Sequence, residues 1–379
     1  MHDLRRGRIG LLACAALAGA VAAAPAGASP GRRPPARLAE PVNEGKWIVP
    51  ASGGPARPVW GIKGGLVVGL WPMPGPRGLI RIYAPYLGHL PGRVINFIAV
   101  EPIVGRRRGL SELEPSSLDG TAGKRMWAAQ SRHTHAKPAL PWLPGRPKFS
   151  RIEGAEAMTV IVPVESFRSG ARPVLEIVLR QDRPYEVALR VFSAEGGARM
   201  DACCLTATMG NYARLRRLWL KGRAIESERL WPGFRPAGPR LRGFAPHRQW
   251  PVEQMVTIDG QAVAAATCNE ADPAAATYDR GVARFWRYTG RPAVQYWASK
   301  ARAGLVVRVN GRRTYWNSTA DIPGGVSFEN FELQAPFEEG QEFRFGVAPK
   351  PADFRGVSRQ WLESTRRRTD GPLPPRQTG

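Results

Sequence analysis

Glycine and proline interrupt this chain so often that long helices have no room, and this limits the fold more than any motif does. The 379 residues include 42 glycines and 36 prolines. Glycine loses much entropy in regular structure, and proline cannot donate a backbone hydrogen bond. Between the breaks lie short apolar runs of strand composition. Val59–Ile62 passes through Lys63-Gly64-Gly65 into Leu66–Trp71, the form of a β-hairpin with a glycine turn. Leu79–Tyr83, Val94–Val100, Met158–Val164, Val174–Arg180 and Tyr185–Phe192 extend the series. Leu175, Ile177 and Leu179 alternate with Glu176, Val178 and Arg180, the period of two of a half-buried strand. Gln181-Asp182-Arg183-Pro184 joins the last two runs as a turn. Tyr212–Leu220 fits a short helix or another strand.

Trp231–Pro251 is crowded with Pro, Gly and Arg, and the strand pattern then resumes. The later runs are Val252–Ile258, Gln261–Thr267, Val282–Tyr288, Ala293–Ala298, Leu305–Val309 and Gln341–Val347. Asn310-Gly311 predicts a hairpin turn with Arg312–Trp316 as the returning strand. Short strands with Gly/Pro turns and no internal repeat make the fold class all-β, a large antiparallel β-sandwich. The pattern fits one continuous sandwich over residues 59–352 or two packed ones meeting near residues 231–251.

The ends read differently. Arg5, Arg6 and Arg8 precede an apolar stretch, Ile9–Ala24, and small residues follow at Ala22–Ala24 and Ala26–Ala28. That is the layout of a signal peptide over residues 1–28, cleaved near Ala28, which places the mature protein in the periplasm or outside the cell. Lipid attachment at Cys14 is the rival reading, and Arg5-Arg6 also suits a twin-arginine route. No second stretch is apolar enough to span a membrane. Residues 29–58 read as a Pro/Gly-rich linker, with Trp47-Ile48-Val49 a short edge strand. Residues 353–379 read as a short helix and a disordered tail.

The formal net charge is +24, from 55 basic and 31 acidic residues. Export removes the usual nucleic-acid partners, and the arginines are scattered rather than striped, so nucleic acid is not expected. The charge is either a compositional habit or a surface for an anionic polysaccharide, whose carboxylates the arginine fork suits. Beyond Cys14, Cys203, Cys204 and Cys268 form no metal spacing, and buried thiols with at most one disulfide are expected.

Secreted β proteins often act on glycans, so carboxylates are the first chemical candidates. Glu101 ends an apolar strand, and Glu112 with Glu114 would share a face of an extended segment, as a catalytic pair, a solvated pair or a Ca²⁺ contact. No cofactor is implied. His133-Thr134-His135 would set two rings on one side of a strand without a third ligand. His89 sits in a turn as a lone acid/base candidate. Gly324–Glu332 places Glu329 and Asn330 among apolar residues after a glycine turn, with Asp321 upstream.

Twelve tryptophans are present, and the C-terminal half carries aromatic residues in doublets or alternation: Phe285-Trp286 with Tyr288, Tyr296-Trp297 and Tyr315-Trp316. Neighbouring rings on a strand point to opposite faces, one into the core and one outward, where sugar C–H faces stack. Trp286, Tyr288, Trp297 and Trp316, with Asn330 and Arg81, are the expected sugar contacts, beside Glu101 and Glu329. The competing reading has the rings fill the core. The strand order, with Phe328-Glu329-Asn330-Phe331 and Gly340-Gln341-Glu342-Phe343, resembles the galactose-mutarotase-like β-supersandwich group, and Trp60–Trp71, Arg93–Leu113 and Val326–Val347 resemble exported bacterial proteins of unassigned function. The first resemblance implies a sugar-binding or sugar-processing site, with His89 or His133 as acid and Glu329 as base. The alternative is a non-catalytic envelope protein held to anionic polymer by its basic surface.

Overall fold

A computed structural model describes residues 37–83, 94–106, 111–113, 123–133, 142–208, 215–236, 243–268, 294–314 and 320–348. The alternation of the sequence becomes two antiparallel sheets, and the chain crosses between them several times. It begins with β1 (Val42–Glu44), β2 (Trp47–Val49), β3 (Val59–Ile62), β4 (Val67–Gly69), β5 (Ile80–Tyr83) and β6 (Val94–Ile103), laid side by side in the first sheet. The second sheet takes β7 (Lys148–Ile152), β8 (Ala155–Pro163), β9 (Pro173–Arg180) and β10 (Glu186–Ser193). β11 (Ala202–Thr208) returns to the first sheet, and β12 (Arg217–Leu220) and β13 (Arg223–Glu226) go to the second. β14 (Ala245–Pro251) forms an edge of the first sheet, whereas β15 (Val256–Ile258), β16 (Gln261–Thr267) and β17 (Val294–Lys300) join the second. β18 (Val306–Arg312) and β19 (Ser327–Pro336) belong to the first sheet and β20 (Gln341–Ala348) to the second.

The first sheet therefore runs β1-β2-β3-β4-β5-β6-β11-β19-β18-β14 and the second β13-β12-β16-β17-β20-β10-β9-β8-β7, with β15 on β16. Each sheet draws strands from both sides of residues 231–251. That stretch is no domain boundary, because its last seven residues are β14 itself. Likewise β1 and β2 fall inside the segment read as a linker, and β2 pairs with β3 through Trp47↔Ile62. Tyr212–Leu220 resolves toward strand where it is described: Leu218 and Leu220 enter the core between the sheets and Trp219 faces away. The strand expected over Val282–Tyr288 and the short helix expected near the C-terminus fall outside the described residues.

The core fills the gap between the sheets. Trp60, Trp250, Trp297, Phe328, Phe331, Phe343 and Phe345 are its largest fully buried apolar side chains. One reciprocal amide pair crosses it, Asn96 on β6 and Gln295 on β17, with N···O distances of 3.0 and 2.9 Å. Such mutual pairing satisfies both amides and removes much of the cost of burying them.

Asn310-Gly311 does not turn the chain; it lies within β18, and the reason is a pair of bulges. Val309 pairs with Phe331 and Gly311 with Phe328, so Glu329 and Asn330 of β19 oppose Asn310 alone. On the other side of β18, Arg248 pairs with Val309 and Ala245 with Gly311, which leaves Pro246 and His247 of β14 opposite the same residue. The Asn310 carboxamide oxygen accepts the Asn330 N–H at 2.9 Å, holding the β19 bulge. A Cβ on Gly311 would sit 2.6 Å from Val326 Cγ1 and 2.8 Å from the Trp231 ring, so glycine is required there by close packing and not by a turn.

Candidate functional site

The two outer faces of the sandwich differ in kind. On the second sheet, charges of alternating sign run across the strands at part-exposed positions. Glu176 lies 3.9 Å from Arg190, Arg190 2.9 Å from Glu342, Glu342 3.4 Å from Arg344, and Arg344 3.7 Å from Glu186. Such a ladder keeps a face hydrated, and each pair contributes about 0–1 kcal/mol.

The outer face of the first sheet also carries charge, but there the charged groups are buried. Leu205 and Ala207 of β11 and Phe331, Leu333 and Ala335 of β19 point into the core. Their neighbours Cys204, Thr206, Glu332 and Gln334 therefore point the other way. Thr206 stands opposite Glu332, and Cys204 stands between Gln334 and Glu101. Glu332 is 0% exposed, Glu329 5%, Arg312 1% and Glu101 9%. A buried carboxylate is costly unless paired. Glu332 meets His247 Nε2 at 3.2 Å and Arg308 Nε at 3.6 Å, and it accepts the Thr206 hydroxyl at 3.4 Å. Glu329 meets Arg312 Nε at 3.2 Å, and the Arg312 guanidinium lies 4.6 Å from the Phe244 ring centre.

The bulges explain why these groups converge. A bulge lets two residues occupy the space opposite one and re-aims their side chains. In β19 it keeps both Phe328 and Phe331 in the core while Glu329 and Asn330 remain between them. In β14 it brings His247 toward Glu332. His247 is the open member of the cluster, its side chain 33% exposed against 0% for Glu332. Its Nδ1 has no partner among the described residues. A histidine held at one nitrogen by a buried carboxylate and open at the other is the arrangement of an oriented general acid–base.

Of the residues expected from sequence, Glu101, Glu329 and Asn330 lie on this one face, with Asn330 accepting the Thr208 hydroxyl at 3.3 Å. Arg81 is not a sugar contact. Fully buried, it donates to the carbonyls of Pro74, Leu79, Gly75 and Pro76 at 3.1, 2.5, 2.7 and 2.7 Å and so pins the loop before β5. Burial lowers its pKa to about 10. Trp297 is likewise a core ring: 0% exposed, it donates its indole N–H to the Phe331 carbonyl at 2.8 Å and meets Phe345 edge-on at 5.1 Å. Its neighbour Tyr296 is the outward member of the doublet, with its hydroxyl 2.9 Å from Glu186. His89, Trp286, Tyr288 and Trp316 lie outside the described residues, as do Glu114 and His135.

Other expectations separate from the site. His133 borders an open hollow of about 380 Å³ with Arg132, Phe192, Glu195 and Glu339, on the second sheet. Glu112 accepts the Arg168 N–H at 3.1 Å and meets Lys124 at 3.2 Å, and so ties two loops together. Among the described residues no group of three His, Cys, Asp or Glu side chains could hold a metal. Cys203, Cys204 and Cys268 are buried and none is in a disulfide; burial pushes the Cys203 thiol up to about 12. Among the described residues no helix is long and apolar enough to cross a membrane.

His247, Arg308 and Glu332 were not singled out by the sequence. The available signal was the spacing Phe328-Glu329-Asn330-Phe331: two core residues three apart inside a strand demand a bulge.

No protein-family model matches the chain, and no curated protein does. Among solved structures it is similar to a GH36 α-galactosidase from Geobacillus stearothermophilus in complex with 1-deoxygalactonojirimycin. That match has 10% identity and a TM-score of 0.34, and covers 84% of this chain and 42% of the other. A second is a 4-α-glucanotransferase from Thermococcus litoralis, with 10% identity, a TM-score of 0.23 and coverage of 79% and 38%. The chain thus spans less than half the length of either. Both neighbours are carbohydrate-active by name, and likeness at these TM-scores carries nothing further to this chain.

Proposed function

We propose that this is an exported carbohydrate-recognising β-sandwich protein whose sugar-facing surface is the outer face of the first sheet. His247 serves as the acid–base group and Glu332 as the residue that positions it. The observation that carries the reading is the His247–Glu332–Arg308 cluster, a buried carboxylate orienting a part-exposed histidine. The export signal and the supersandwich resemblance agree with it. The ligand is a neutral glycan: on this face Glu101, Glu329 and Glu332 stand against Arg81, Arg308 and Arg312, so the described charges of fixed sign cancel and select no ion. Asn330 and Thr208, both part-exposed, supply the neutral donors and acceptors that sugar hydroxyls require.

The second reading is anchorage to an anionic polymer, favoured by the net charge of +24. One experiment separates them: binding of neutral oligosaccharides and of polygalacturonate at low and raised salt, with anomer exchange and glycoside cleavage followed by NMR, on wild type, His247→Ala and Glu332→Gln. Neutral-sugar binding that persists in salt, with turnover reduced about 10²–10⁴-fold in His247→Ala, is the expected result. Binding confined to polygalacturonate and abolished by salt would replace this reading with the second. Neutral-sugar binding or turnover indifferent to both variants would remove His247 and Glu332 from the function.

A further inference from the structure

Among the described residues the sandwich is open along one side, where β1 and β7, an edge strand of each sheet, flank the gap. Trp47 and Ile62 pair across β2 and β3 and belong to the core. Glu44 of β1 pairs with Trp47 and so lies on the core-facing side. In the second sheet Phe149 of β7 pairs with the core residue Met158, and the Arg151–Glu156 pair two positions on shares that side. By register these are core positions, yet Glu44, Phe149, Arg151 and Glu156 are all exposed. The gap there is a cleft of about 790 Å³, with Trp47 and Phe149 in its lining, their ring centres 5.8 Å apart.

Edge protection accounts for part of this composition, since charges on an edge strand discourage pairing with another chain. It does not account for Phe149. That ring is 50% exposed, one of few large apolar side chains so placed among the described residues, and beside an open strand edge it is an aggregation hazard. Nor does it account for four charged groups that cancel. Each wall carries one charge of each sign, Glu44 and Lys46 on the side of the first sheet and Glu156 and Arg151 on the side of the second. Gln181 adds an amide to the same wall.

We infer that this rim cleft is a second glycan-binding subsite, taking a short run of a neutral oligosaccharide. The pyranose C–H face lies on Phe149 with Trp47 behind it, and the hydroxyls are taken by Glu44, Glu156, Arg151 and Gln181. A strongly charged ligand would leave one sign of the balanced walls unpaired. A volume of this size is that of a pocket for a compact organic ligand or a few sugar rings. The inference rests on the glycan reading above and concerns a different surface.

The test is calorimetric titration of the full protein with cellohexaose, maltohexaose and xylohexaose, in wild type, Phe149→Ala, Gln181→Ala and Glu332→Gln. Phe149→Ala should weaken hexasaccharide binding at least about tenfold with its melting temperature unchanged, because the ring is half in water already. Gln181→Ala should weaken it less, and Glu332→Gln should leave this component in place. Binding that survives both Phe149→Ala and Gln181→Ala but is lost in Glu332→Gln overturns the rim site and leaves the sheet-face reading standing. Binding lost in Phe149→Ala and untouched in Glu332→Gln does the reverse. A wild type that binds none of the three at millimolar concentration overturns the rim site too.

Discussion

Trp297→Ala distinguishes a core ring from a sugar platform, and its cost can be worked from the structure. The indole is fully buried between the sheets, packs edge-on to Phe345 at 5.1 Å and gives its N–H to the Phe331 carbonyl at 2.8 Å. Replacing a core Trp by Ala costs about 3–5 kcal/mol in lost transfer energy and cavity. Both the ring partner and the hydrogen bond go with the side chain, so the upper end, about 4–5 kcal/mol, is expected. Trp297→Phe keeps a ring against Phe345 and gives up the N–H, which should cost about 1–3 kcal/mol for the carbonyl left without it. Urea unfolding followed by far-UV circular dichroism reads both. At an m-value of about 3 kcal/mol/M the midpoint should fall by about 1.5 M for Ala and roughly a third of that for Phe, with m unchanged. Glycan affinity, measured below the transition, should be that of wild type. A loss under about 1 kcal/mol in Trp297→Ala, or abolished glycan binding at an unchanged midpoint, would put the ring at a surface and refute the packing described here.

Arg81→Lys should destabilise by about 3 kcal/mol, because one ammonium cannot reproduce a planar fork spread over four carbonyls, while sugar binding stays intact; thermal melting and proteolysis of the loop before β5 report it. For the thiols, a folded sample at pH 8 should resist alkylation at Cys203, whose thiol ionises only near 12, and should react at once in guanidinium; rapid labelling of Cys203 in the native protein, located by mass spectrometry, would contradict its burial.

Much of the fold was legible because period-two alternation carries it. The runs around Val94–Val100, Val174–Arg180 and Gln341–Val347 became β6, β9 and β20. The glycine turn at Lys63–Gly65 joins β3 to β4, as its composition requires, with Gly64 at φ +79°. The Asn310-Gly311 hairpin failed for an instructive reason. Asn-Gly favours a turn when both residues take positive φ, but Gly311 has no positive φ, and the Asn310 side chain is spent on the Asn330 N–H. Tertiary packing of Trp231 against Gly311 decided the matter. Trp297 failed differently: alternation predicted that one ring of the Tyr296-Trp297 doublet would enter the core, but alternation alone has no way to say which.

The site was the least legible part, and the cause is physical. Along a strand, Glu332 and Gln334 alternating with Phe331, Leu333 and Ala335 look the same whether the polar side meets bulk water or a buried surface. The second sheet shows the first case, with Glu342 and Arg344 a third or less exposed yet laddered to partners of opposite sign. The first sheet shows the other, with Glu332 at 0% exposure. Only burial separates a hydration ladder from a cluster of paired buried charges, and burial is a property of the assembled sheets. The bulges are where the sequence did speak. Phe328 and Phe331 cannot both face a core from a regular strand, so the two residues between them had to be displaced, and a displaced polar pair within a β-sheet is where a site is built. The same argument applies to β14: Ala245 and Trp250 are both buried although five residues apart, an odd spacing that period two forbids without a bulge. It is that bulge, not proximity in sequence, that puts His247 within 3.2 Å of a carboxylate 85 residues away.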